Sequence, residues 1–298
     1  MKVVVFGGSG FLGSHVADAL SEARYDVTIF DRVYSPYLRK DQNMAVGDIL
    51  EEDNVKKVME GCSAVYNFAG IADMDEAKRS PLYTVRDNIL GNTIILEAAV
   101  KNAVKRFIFA STVYVYSTKG SFYRSSKQAC ELIIESYREI HGLPYTILRY
   151  GSLYGPRADE NNWISKILKE ALEERRISRF GDGEELREYI HVKDAARLSV
   201  EVLASEYENE NVIISGPQQM KIKDLLTMIA EMLGNNVKIE YKDTDDKTCP
   251  YDPSLHYEIT PYSFNPKIGK KLISRYYLDM GQGILDLLKD ISKDKVRS

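Results

Sequence analysis

A chain of 298 residues with 44% hydrophobic and 28% charged residues has an ordinary globular composition and ample material for a core. A formal net charge of −4 and the lack of a long basic run exclude nucleic acid as the main partner, and no apolar stretch approaches the roughly 18–20 residues of a membrane span. Cys62, Cys130 and Cys249 are isolated, and His15, His141, His191 and His256 form no ligand-like pair, so neither a disulfide framework nor a metal site follows, and a reducing cytoplasm is the natural compartment.

The first half alternates short apolar runs with amphipathic segments. The opening "MKVVVFGGSG" is broken by glycine after five residues and reads as a strand rather than a signal peptide. "FLGSHVADALSEA" follows with helical spacing, then a strand at "DVTIFD", a weaker one at "NMAVGD", and further strands at "AVYNFAG", "KRFIFAS" and "PYTILRY". A long helix through "NILGNTIILEAAVKNA" and another beginning near Tyr123 separate the later strands. This predicts βαβ units and an α/β, Rossmann-type doubly wound parallel sheet covered on both faces. After residue 155 the rhythm breaks into charge-rich helices, short strands such as "NVIIS" and "VKIEY", and a Pro/Tyr-rich stretch at 250–266. The expected division is a nucleotide-binding domain over 1–155, rejoined by roughly 188–215, and a smaller C-terminal α/β substrate domain over 156–187 and 216–298.

"VVVFGGSGFLGSH" places Gly7, Gly10 and Gly13 between a strand and a helix, and with Gly8 it also reads G-x-G-x-x-G. Glycine lets the backbone turn tightly and approach a pyrophosphate without an intervening Cβ, while the helix opening at Phe11 aims free N–H groups at the phosphates. Asp31, eighteen residues past Gly13 at the end of the second strand, is where a carboxylate grips the adenosine ribose. Such a carboxylate repels a 2′-phosphate and favours NAD over NADP, although a guanidinium at Arg32 would suit that phosphate. Asp48, closing "MAVGDI", is positioned equally to reach the adenine or to cap the next helix.

Two Tyr-x-x-x-Lys matches occur, Tyr123–Lys127 and Tyr189–Lys193. With 20 Tyr and 23 Lys in the chain, chance alone gives roughly 1.5, so context decides. Tyr123 follows a strand that ends in Ser111 and Thr112, whereas Tyr189 sits in "REYIHVKDAA", with strand-like residues and no preceding hydroxyl pair.

Taken together, "GGSGFLGSH", "GDI", "NFAG", Asn88 in "NILGNT", "FASTVYVY", "YRSSK", "LRYGSLYGPR", "NNW" and "GDGEELREYIHVKD" resemble the extended short-chain dehydrogenase/reductase family, the nucleotide-sugar epimerases and dehydratases typified by UDP-galactose 4-epimerase. The resemblance spans nearly the whole chain. It implies that Gly7, Gly10, Phe11, Leu12, Gly13, Asp31, Arg32, Asp48, Ile49, Phe68, Ala69, Gly70 and Asn88 line tightly bound NAD, with Tyr123, Lys127 and Tyr150 near the nicotinamide. It also implies that Thr112, Tyr123 and Lys127 are catalytic, and that Ser152, Asn162, Trp163, Arg187 and His256, with Thr112, contact a nucleotide-diphosphate sugar. Arg187 serves equally as a partner of Glu184 or Glu188, and Trp163 as a core residue. Relatives commonly dimerise through the helices expected at 81–102 and 123–141, so a homodimer is expected. The chemistry is consistent with this assignment. A phenol of pKa about 10 acting as base near pH 7 needs about 4 kcal/mol, of which an ammonium about 5 Å away supplies about 3 kcal/mol.

The departures bear on substrate and reaction. The loop at 116–123 is short, Gly151 and Ser152 replace an aromatic and an asparagine, and "LHYEITPYSFNP" replaces a second phosphate arginine, leaving His256 or Tyr257 to substitute. The 4,6-dehydratases carry an Asp-Glu pair after the catalytic Thr, where this chain has Val113 and Tyr114. The Glu of the xylose-forming decarboxylases is absent too, and Cys130 is too distant for the Cys of the epimerase-reductases. What remains is oxidation and re-reduction at one carbon, as in a 4-epimerase. The alternative is a 4-keto-sugar reductase or dehydrogenase that exchanges cofactor at each turnover.

Overall fold

The computed structural model describes residues 1–243, 252, 255–263 and 268–297, with side chains to 293; Cys249 and parts of the Pro/Tyr-rich stretch lie outside the described residues. Six strands build the first half: β1 (Lys2–Phe6), β2 (Asp26–Asp31), β3 (Gln42–Val46), β4 (Ala64–Asn67), β5 (Arg106–Thr112) and β6 (Tyr145–Tyr150). Glu210–Ile214 pairs in parallel with β6, and Lys270–Lys271 pairs with Glu210–Ile214, closing an eight-stranded sheet whose order runs from that edge through β6, β5, β4, β1 and β2 to β3. This is the expected doubly wound sheet. The two-residue edge strand comes from the region assigned by sequence to the second domain.

Alternate side chains of each strand feed two cores, as the two-residue repeat of a strand requires. Val3 and Val5 of β1 face a cluster with Val16 and Leu20 of the Phe11–Glu22 helix and Leu198 of the Val192–Glu201 helix. Val4 and Phe6 face the opposite cluster, which holds Ile95 of the Gly91–Lys101 helix and Ile134 of the Ser121–His141 helix. A third cluster, around Leu168, Leu225 and Leu287, packs the helices Trp163–Glu174, Ile222–Met232 and Met280–Arg297. Tyr189–His191 pairs with Ser152–Tyr154 in a separate two-stranded ribbon, so only Glu210–Ile214 of the 188–215 stretch rejoins the large sheet.

The order reverses between β1 and β4, so the loops after their carboxyl ends open a crevice in which such sheets bind ligands. Gly7 closes β1 at φ +74°, and a Cβ on Gly13 would lie 2.2 Å from the Gly7 carbonyl oxygen. That contact sets how closely the first helix approaches the first strand, and a larger residue at 13 would push the helix away.

An ion pair is buried beside β5. Arg149 of β6 and Glu131 of the Ser121–His141 helix are 1% and 4% exposed. Glu131 accepts from Arg149 at 2.6 and 3.0 Å and from the Ser111 hydroxyl at 2.5 Å, while Arg149 also donates to the Tyr116 hydroxyl. Removing one partner strands a charge out of water, which costs about 3–5 kcal/mol. Glu131→Gln is therefore expected to lower unfolding stability by about 3 kcal/mol in urea titration; a loss under about 1 kcal/mol would show the pair to be solvated.

Candidate active site

The crevice between β1 and β4 has three features that fit a dinucleotide. No side chain caps the Phe11–Glu22 helix and its first turn carries no acidic residue, so its terminal N–H groups and positive dipole end remain available to an anion. Gly10 is open, a Cβ there meeting nothing nearer than the Gly7 carbonyl at 3.3 Å. The Asp31 carboxylate is fixed at the end of β2, accepting from the Ser9 N–H at 3.0 Å and the Val33 N–H at 3.2 Å. Fixed this way, the carboxylate spans the glycine loop and the strand end, where ribose hydroxyls of an adenosine would lie.

The other expected cofactor residues surround this crevice. Phe68 stacks on Tyr66 at 6.1 Å and approaches Tyr150 at 6.4 Å. Ala69 donates its N–H to Asn67, and Gly70 takes φ +127°, where a Cβ would meet the Asn88 amide oxygen at 2.4 Å. Ile49 is buried, and a Cβ on Gly91 would collide with it. Asn88 is committed to structure: its oxygen accepts from the Ile71 N–H at 2.7 Å, and its nitrogen donates to the Ile71 carbonyl and to Ser126. Asn88 thus ties the loop after β4 to the helix that carries Tyr123 and Lys127. The Tyr150 hydroxyl bonds to Ser199 at 2.6 Å inside the core. Asp48 caps no helix: it accepts from the Leu50 N–H at 2.9 Å and pairs with Arg32, while Glu51 precedes the Glu52–Val58 helix.

Thr112 ends β5 and accepts from the Tyr114 N–H at 3.3 Å, and its hydroxyl neighbours the phenol of Tyr123 on the facing helix. Lys127, one turn on from Tyr123, is buried; its ammonium donates to the Ala110 carbonyl at 2.9 Å and lies 5.9 Å from the Tyr123 ring centre. The trio expected from sequence is therefore assembled, but its resting electrostatics differ from the expectation. Burial pushes the Tyr123 phenol up to about 12, against the opposing influence of the Thr112 hydroxyl. Burial likewise lowers Lys127 below the usual lysine value. Bringing a phenol from about 12 to near 7 takes about 7 kcal/mol, and one ammonium about 6 Å away supplies about 3 kcal/mol. Were Tyr123 to act as a base, the remainder would have to come from a further positive charge such as that of an oxidised nicotinamide. Tyr189 and Lys193 play no such part: Tyr189 packs in the third cluster and Lys193 pairs with Asp286 at the surface.

A second group of side chains faces the trio. Tyr114 meets Tyr123 edge-on at 6.5 Å and Tyr257 at 4.6 Å, and its hydroxyl lies 3.4 Å from the His256 ring. Tyr257 lies beside Ser152, and the Arg187 guanidinium lies 4.4 Å above its ring. Arg187 pairs with neither carboxylate weighed from sequence. Glu184 binds Lys221 and Lys223, Glu188 binds Lys271, and Arg187 donates to the carbonyls of Leu186 and Glu258. Among the described residues no carboxylate pairs with it, and it is buried beside the aromatic wall. Burial and the neighbouring Arg187 lower His256 below the ordinary histidine value. Asn162 caps the Trp163–Glu174 helix through Ser165, and Trp163 is partly buried with Arg179 5.6 Å above its ring. Tyr114, Tyr257, Ser152, Arg187 and His256 thus form one connected group that meets the trio through Tyr114, whereas the Asn162 amide is spent on a helix cap.

A sequence profile described as the NAD dependent epimerase/dehydratase family matches residues 3–215. The chain belongs to that family. Family membership makes NAD the cofactor for which the crevice is built. The chain is 29% identical, over 78% of its length and 82% of the relative's, to a Methanocaldococcus jannaschii protein provisionally named UDP-glucose 4-epimerase. It is 26% identical, over 96% of each, to the dTDP-glucose 4,6-dehydratase of an Actinoplanes strain. Its fold superposes with a TM-score of 0.83 on the Thermotoga maritima UDP-glucose 4-epimerase solved with UDP-glucose, at 25% identity and covering 99% and 100% of the two chains. Among the described residues no helix is long and apolar enough to cross a membrane, and no group of three or more His, Cys, Asp or Glu side chains is placed to hold a metal ion.

If the nicotinamide charge completes the activation of Tyr123, oxidised NAD must move one phenol from near 12 downward. Alkaline titration of tyrosinate absorbance is expected to show one tyrosine ionising earlier with NAD bound, and no such change in Tyr123→Phe. Identical titrations with and without NAD would contradict this electrostatic account.

Proposed function

We propose that the chain is an NAD-dependent nucleotide-sugar epimerase that inverts C4 of a nucleotide-diphosphate hexose through a transient 4-keto sugar. Tyr123 takes the proton of the 4-hydroxyl as the C4 hydrogen leaves with its electron pair, and returns a proton to the same oxygen after the sugar has turned. Gly7, Gly10, Gly13 and Asp31 would hold NAD, which would supply a reversible acceptor for that hydride, so that its return to the opposite face would leave no net oxidation. Thr112 hydrogen-bonds the reacting oxygen, Lys127 favours the phenolate, and Arg187 receives the diphosphate, for which a planar guanidinium fork is suited.

The observation that carries this reading is the pair of positions after Thr112. Val113 is 1% exposed inside an apolar cluster and Tyr114 carries a phenol turned to His256, so the two carboxyls that serve elimination across C5 and C6 in the Asp-Glu pattern have no counterpart at these positions. A keto-sugar reductase or dehydrogenase is the second reading, favoured by a phenol held protonated near 12, which is the state a proton donor requires.

In this reading the enzyme works in the cytoplasm as a homodimer. The helices Gly91–Lys101 and Ser121–His141 lie side by side on one face, and Leu82, Leu132 and Ile140 nearby are 77%, 61% and 74% exposed, which supports a second copy packing there. The functional test is mass spectrometry of small molecules released by denaturing the purified protein, beside incubation with UDP-, GDP-, CDP- and dTDP-sugars. Released NAD and a substrate converted to its epimer without net NADH are expected. An empty protein that consumes NADH on a 4-keto sugar would move the assignment to the reductase.

A further inference from the structure

Arg32, directly after Asp31, is the cation placed to meet a phosphate on the adenosine 2′ position, yet its guanidinium is bracketed by two carboxylates. Its Nε and one terminal nitrogen reach Asp48 at 3.1 and 3.2 Å, and both terminal nitrogens reach Asp87 at 3.2 Å. Asp87 lies on the π-helical turn Val85–Leu90, with its side chain 7% exposed, and its other oxygen accepts from Arg86 at 2.7 Å. Two arginines and two aspartates thus form one electrically balanced cluster beside the ribose-facing carboxylate of Asp31.

A guanidinium recognises phosphate through its fork of N–H donors, and a fork already filled by carboxylates has few donors left to give. A 2′-phosphate entering here meets the fixed charge of Asp31 and must also displace Asp48 or Asp87 from Arg32. Of those two, Asp87 is the more buried and holds both arginines.

We propose that Asp87 is a specificity-determining residue for the cofactor: by occupying Arg32 and Arg86 it withholds both cations from the 2′-phosphate of NADP and sets the chain to NAD. Asp31 then provides the attraction for ribose hydroxyls, and the Asp48–Arg32–Asp87 bracket removes the competing attraction that Arg32 alone would create.

The test is an equilibrium competition. Folded protein is incubated with an excess of NAD and NADP in equal amounts, separated from free nucleotide, and the bound nucleotides are quantified. The wild type is expected to hold NAD almost alone. Asp87→Asn is expected to raise the bound NADP to NAD ratio about tenfold, the scale of one charge-assisted contact to phosphate. Arg32→Ala alone should leave the ratio within about twofold of wild type, and added to Asp87→Asn it should remove most of the gain. A ratio unchanged in folded Asp87→Asn, or a marked loss of NADP binding in Arg32→Ala alone, would overturn the proposal. Circular dichroism checks folding. If Asp87→Asn does not fold, Asp48→Asn takes its place: a smaller shift toward NADP is expected, and none would overturn the proposal.

Discussion

Glu131 stands one helical turn beyond Lys127, and its carboxylate gathers the Ser111 hydroxyl and the Arg149 guanidinium inside the protein. Ser111 precedes Thr112 on β5, Arg149 lies on β6, and Glu131 belongs to the helix of Tyr123 and Lys127. A single buried ion pair therefore sets the helix carrying the phenol against the strand carrying the hydroxyl. Without it, the approach of Thr112 to Tyr123 would rest on the Lys127–Ala110 bond, the Asn88 link and apolar packing, without the directed charge-assisted bonds of the pair. The geometry of the trio follows from this attachment and from the Asn88 link between the same helix and the loop after β4.

That anchored helix also carries both titratable groups of the trio into a buried site. Burial raises the phenol and lowers the ammonium together, so Tyr123 stays protonated until a further positive charge arrives. The Tyr-x-x-x-Lys spacing alone suggested that the lysine does most of this work; the magnitudes assign the lysine less than half. In the proposed reaction, a base whose activation awaited an oxidised cofactor would be coupled to the redox state of the site, which suits a cycle that begins and ends with the cofactor oxidised.

Much of this was legible in the sequence because it rests on local rules. Glycines between a strand and a helix, an aspartate closing the second strand, and apolar runs alternating with amphipathic helices specify the sheet and its crevice. The choice of Tyr123 over Tyr189 also followed from local context. What stayed hidden depends on long-range pairing. Lys270–Lys271 is too short and too charged to read as a strand, yet the edge beside Glu210–Ile214 receives it. Arg187 finds backbone carbonyls rather than its neighbouring glutamates, and carbonyl acceptors carry no sequence signature. Asn88, Asn162 and Tyr150 turn polar atoms toward structural partners. Glu131 and Asp87 were missed altogether; the available signal was a carboxylate on the otherwise buried face of a helix.

The central claim is that hydride leaves and returns to one carbon while Tyr123 handles the proton. It is tested most directly with a nucleotide hexose carrying deuterium at C4, followed to equilibrium in the absence of added cofactor. The account predicts that the epimer keeps its deuterium at C4, with none lost to water and none in free NADH. Loss of the label to solvent, or its transfer to cofactor released into solution, would contradict it.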